Sequence, residues 1–136
     1  MSQVAENGVT SLERDGLLIV ALRPPSRAAD PVDAWMVDAV AALIAEVRRH
    51  AATEVPIAIV LHAPATTDQG ERAAAQGLAH AVRGIAQSLS LELAPGTRVN
   101  AVLCDESRTP DDALALLSGS DGGFITGSTI DLTGAA

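Results

Sequence analysis

The stretch from Ala73 to Val102 constrains the fold more than any other. Leu78, Val82, Ile85, Leu89 and Leu93 recur at steps of three and four residues, which lines them along one face of a helix. Ala74, Gly77, Ala81, Gly84 and Ser88 recur the same way and form a second stripe, of small side chains. A wide apolar face belongs against a sheet, and a small-residue stripe lets another helix come close. Pro95-Gly96 stops the helix, and Val99 to Leu103 then reads as a buried strand. The rest of the chain must supply a sheet for this helix to lie on.

It does so on both sides. Val9 to Arg14 alternates weakly, and Asp15-Gly16 separates it from the apolar run Leu17 to Leu22, a hairpin signal. Asp30-Pro31 opens a helix that runs to about Ala52, with Asp as N-cap and Pro in the first helical position. Met36, Val40, Leu43, Ile44 and Val47 make its apolar face, which Trp35, Ala39 and Ala42 widen. Pro56 to Ala63 is a second core strand, and a polar loop from Thr66 to Glu71 leads into the organising helix. Thr109-Pro110 caps a short helix whose Asp111 and Asp112 suit the positive end of its dipole. Gly122-Gly123 ends that helix, and Ile125 to Leu132 forms the last strand. This order predicts one three-layer α/β domain over residues 1–136, with residues 1–8 disordered. Four parallel core strands are expected near 17–22, 57–62, 99–103 and 127–132, with right-handed crossovers and 9–14 as an antiparallel edge.

Composition narrows the function. The net charge is −8, the nine basic residues are all arginine, and no basic cluster exceeds Arg48-Arg49. With aromatics at 1% as well, the chain lacks both the basic face and the stacking rings of a nucleic-acid binder. No apolar run approaches the roughly 20 residues of a membrane helix. One cysteine, Cys104, rules out an internal disulfide and suits a reducing cytosol, and the polar N-terminus carries no signal peptide, so a cytoplasmic location is expected. Three scattered histidines and one cysteine offer no metal-ligand spacing.

Two segments carry a resemblance. LSLELAPGTRVNAV and SDGGFITGSTIDLTG, over about residues 73 to 134, resemble the C-terminal half of short-chain dehydrogenases/reductases. The resemblance implies a Rossmann-like half-domain in which Asn100 and Thr126-Gly127 are structural. It also implies that the helices at 31–52 and 73–95 pack against their copies in a partner. The catalytic Tyr and Lys of the family would fall at Ala75 and Ala79, and the chain has no Tyr and no Lys. No Ser follows the strand ending Ile59 to Pro64, and the only asparagines are Asn7 and Asn100. Cys104-Asp105 replaces the family's Pro-Gly, and no glycine-rich dinucleotide turn precedes the first strand. The expectation is therefore a subunit with no catalytic residue, no cofactor and no metal.

Such a subunit would work by association, as a homo-oligomer or with a full-length dehydrogenase. Trp35, Ala39, Ala42 and Leu43 on one helix, with Gly77, Ala81, Gly84 and Ser88 on the other, are the candidate interface, expected to stay exposed in a single copy. One alternative is a heteromeric NAD(P)-dependent oxidoreductase whose partner supplies the cofactor site. Another is a small-molecule enzyme or binder using the crevice beyond the strand ends, where Arg23, Arg27, His62, Cys104, Asp105 and Glu106 gather. A histidine near carboxylates can do acid–base work, and polar strand ends are as commonly mere solvated loops. His80 and His50 read as helix-surface residues, His50 at a C-terminus where a cation suits the dipole.

Overall fold

Each apolar run forms a strand and each amphipathic stretch a helix. The computed structural model describes residues 8–24, 32–64, 68–105 and 109–133; the Asp30-Pro31 cap and residues 1–7 lie outside them. The strands are β1 (Val9–Arg14), β2 (Leu17–Leu22), β3 (Ile57–Ala63), β4 (Val99–Asp105) and β5 (Thr129–Asp131). The helices are α1 (Val32–Arg49), α2 (Gln69–Glu92) and α3 (Asp111–Ser118), with short 3-10 turns at Ala51–Thr53 and Ser120–Gly122. The sheet order is β1-β2-β3-β4-β5, antiparallel at the first pair and parallel at the other three, as expected. All six β1 residues pair with β2, and the hairpin closes through Asp15 and Gly16, both at positive φ, the turn geometry that matches strand twist.

Alternation along the strands divides the core in two. Leu18, Val20, Leu22, Ile57, Ile59, Leu61, Val99, Ala101 and Leu103 face one side, where α1 and α2 cover them. Leu17, Ala21, Ala58, Val60, Val102 and Cys104 face the other, where Ala113, Leu114 and Leu117 of α3 cover them. The three crossovers each step one strand in the same direction across the sheet, yet α3 lies on the opposite face from α1 and α2. Reversing the face at constant direction reverses the hand, so the third crossover has the opposite hand to the first two. The expectation of uniformly right-handed crossovers is corrected accordingly. The cause is burial: among the described residues α3 is the only helix on the second face, and without it that apolar surface would meet water. α3 reaches back toward the hairpin, where Arg14 bridges to Asp111 at 3.6 Å.

Three boundaries differ from the expected ones. α2 begins at Gln69, inside the segment expected as loop, because Asp68 is its N-cap and its side chain accepts from the Glu71 N–H at 2.8 Å. β5 is three residues long instead of starting at 127; residues 125–128 join β4 through two backbone hydrogen bonds, Gly127 N–H to the Val99 carbonyl at 2.7 Å and Ala101 N–H to the Ser128 carbonyl at 2.9 Å, and through side chains. Arg98 donates to the carbonyls of Gly122, Ile125 and Leu117. Buried Asn100 donates to the Ile125 carbonyl at 2.9 Å and accepts from the Ser128 N–H at 3.0 Å. Thr126 Oγ1 accepts from the Val99 N–H. The structural reading of Asn100 and Thr126-Gly127 is thus correct, and Arg98 joins them. α3 likewise ends at Ser118, ahead of Gly122-Gly123.

Gly127 is where this clasp needs glycine. Its φ is 72°, and a Cβ there would stand 2.7 Å from the Ser90 hydroxyl of α2. Gly127→Ala should cost about 1–3 kcal/mol from backbone strain and the forced shift of Ser90. Urea unfolding measures this, and an unchanged midpoint would show that the clasp does not require that backbone conformation.

Candidate functional site

Three adjacent parallel strands reach their carboxyl ends in step. Leu22 pairs with Leu61, and Leu61 with Leu103, all three side chains on the first face. The next residue on each strand points to the second face, which sets Arg23, His62 and Cys104 in a row. Cys104 Sγ lies 3.4 Å from His62 Nδ1. Arg23 is exposed, His62 half-buried and Cys104 buried.

Charge state follows from these surroundings. Burial pushes the His62 pKa down, and the positive Arg23 pushes it further. Burial pushes the Cys104 thiol up, the Asp105 carboxylate adds to that, and Arg23 opposes it. At neutral pH the pair is thiol and neutral imidazole, unlike the thiolate of a nucleophilic cysteine. The imidazole nitrogen is the better acceptor, so we assign the S–H donor to Nδ1, which leaves the ring hydrogen on Nε2. What the row offers chemically is hydrogen-bond donation, from Arg23 and from His62 Nε2–H. Among the described residues no three His, Cys, Asp or Glu side chains gather as metal ligands. Arg27 and Glu106 lie outside the described residues. Two surface concavities lie elsewhere, one around Ser11, Arg49 and His50 and one around Arg14, Leu17 and Leu114, and neither touches this row. Each of the three strands carries a leucine followed directly by one of these residues, a local signal that does not by itself set the register.

The candidate interface on α1 and α2 divides on inspection. Ala39 and Leu43 are fully buried in the core, so their expected exposure is wrong. The row of α1 that meets the sheet is Ala39, Leu43 and Val47, at steps of four; Leu43 and Val47 belong to the expected apolar face, whereas Ala39 was expected beside it and Met36, Val40 and Ile44 are only partly buried. Trp35 and Ala42 are partly buried against the same core, and the Trp35 indole N–H is buried without a hydrogen-bond partner. Gly77, Gly84 and Ser88 of α2 are exposed and Ala81 is half-buried. Sequence reasoning passed over two larger side chains on these helices, Val37 at 67% exposure and Leu91 at 81%. Gly77, Gly84 and Leu91 stand seven residues apart and share one side of α2, a spacing the sequence displays. Ala75 and Ala79 are half-buried on α2, and Ala79 packs on the core.

A depressed His62 pKa has a consequence for stability. The unfolded chain, near the usual 6.5, binds a proton that the folded chain refuses. The stability that a neutral His62 contributes is therefore complete above about pH 6.5 and falls as pH drops through its lower folded value. His62→Gln should flatten the pH dependence of urea unfolding between about pH 6.5 and 5. A variant whose profile matches the parent's over that range would mean that the ring is free to charge in the folded state.

No family model matches the chain, and no curated protein matches it. Solved structures do. BdcA (YjgI) from E. coli aligns with a TM-score of 0.64 and 20% identity over 86% of this chain and 60% of its own. A short-chain dehydrogenase/reductase of the glucose/ribitol dehydrogenase type from Brucella melitensis aligns at 0.54 and 21% identity over 84% and 61%. An apo SCOR enzyme from Clostridium thermocellum aligns at 0.50 and 15% identity over 82% and 60%. The chain thus spans about 60% of the length of these structures. At such identities the likeness is one of fold, the Rossmann-like α/β fold of these structures.

Proposed function

We propose that this chain is a non-catalytic, dehydrogenase-like subunit that works by association through the exposed side of α2 and the neighbouring part of α1. The observation that carries this reading is Gly84. It stands within a 24-residue helix, exposed, and apart from its own helical turn no described residue comes within 4 Å of where its Cβ would be. Glycine in an exposed helix interior costs roughly 1 kcal/mol relative to alanine. Packing within one chain gives no reason for it, and a second helix crossing at close range does. Gly77 adds to this, since a Cβ there would meet only Met36 Cε at an ordinary 3.7 Å. Leu91 and Val37 supply apolar surface beside the small residues, and Trp35 and Ala42 lie behind as support.

The chemistry of the residues agrees. Ala75 and Ala79 can neither donate a proton nor tune a phenol, and the chain holds no Tyr. The competing reading, in which a partner adds a cofactor-binding half to the sheet, meets an obstacle. The edge of β2 that such a half would extend is bonded to β1 along all six residues. A second copy, packed helix pair to helix pair about a two-fold axis, is the partner that suits the surface best.

Gly84→Arg tests the reading cleanly, because the single chain has room for the side chain and arginine favours the helix. Light scattering should give a dimer for the parent and a folded monomer for the variant. A monomeric parent, or a variant still dimeric, would sink the proposal.

A further inference from the structure

Neighbouring parallel strands whose onward connections leave toward opposite faces open a crevice between their carboxyl ends, and ligands of open α/β sheets sit in such crevices. Here β3 feeds α2 on the first face and β4 feeds α3 on the second. The divergence falls between His62 and Cys104, with Arg23 next in the row on β2. We propose that this crevice binds a small monocarboxylate, gripped by the Arg23 guanidinium and the Nε2–H of His62.

Two observations on these residues support the assignment. Of the described arginines, Arg14, Arg48, Arg49 and Arg83 pair with carboxylates, and Arg98 is spent on three carbonyls. Arg23 has no side-chain hydrogen bond or ion pair with any described residue, which leaves a planar donor fork free at the mouth of the crevice in a chain of net charge −8. The other free one, Arg72, stands on the exposed first turn of α2. Second, Cys104 occupies His62 Nδ1, which fixes the outward nitrogen as a donor, as a hydrogen bond behind a metal-bound histidine does. Asp105, opposite Ala63 at the end of β4, puts a carboxylate beside the row, which disfavours a second negative charge on the ligand. That selects a monoanion over phosphate or a dicarboxylate. The site is independent of the association proposed above, which uses the outer side of α1 and α2.

The test follows the His62 ring by 15N NMR during titration with propionate at constant ionic strength. Propionate should shift the His62 signals saturably, propionamide should leave them unmoved, and phosphate should bind more weakly than propionate. Arg23→Gln should weaken propionate by about tenfold or more, roughly 1.4 kcal/mol, and Arg23→Lys by less, since it keeps the charge and loses the fork. The proposal fails if His62 does not respond to propionate, if Arg23→Gln binds like the parent, or if phosphate binds as tightly.

Discussion

A parallel sheet has two apolar faces, and covering both with three helices governs this structure. Two helices on the first face bury ten strand side chains between them. The second face has only α3, and α3 can reach it only through a crossover of the opposite hand. That route brings the chain back to β5 across the amino end of β4. There Arg98, Asn100 and Thr126 spend their hydrogen bonds on holding it. A buried asparagine satisfied on both ends of its amide is costly to replace, since an orphaned partner inside the core costs about 1–3 kcal/mol.

The same arrangement separates the two surfaces to which function is assigned. α1 and α2 share a face, so their outer sides form one continuous surface whose small residues belong to α2. The change of face after β4 opens the carboxyl edge between β3 and β4, where His62 and Cys104 meet. Among the described residues, one surface offers no packing reason for its glycines, and the other holds a cation without a side-chain partner.

Much of this was legible in the residues. The helix face Leu78, Val82, Ile85 and Leu89, the Asp15-Gly16 hairpin and the four parallel strands all follow from local pattern, because period and turn chemistry are local. What escaped was non-local. The hand of the last crossover depends on which face lacks cover, and no single segment records that. Ala39 and Leu43 went to the wrong side because a helix with apolar residues over a wide arc leaves its rotation to packing. The Cys104–His62 contact required the register of two strands 42 residues apart.

Association through α2 is the claim on which the functional account stands, and the concentration dependence of unfolding addresses it without any mutation. If folded copies bind one another and unfolded ones do not, the unfolding temperature must rise with protein concentration. Scanning calorimetry of the parent chain from micromolar to millimolar concentration should show that rise. An unfolding temperature that stays constant across the range would mean that the folded chain stands alone, and the exposed glycines of α2 would then serve no partner copy.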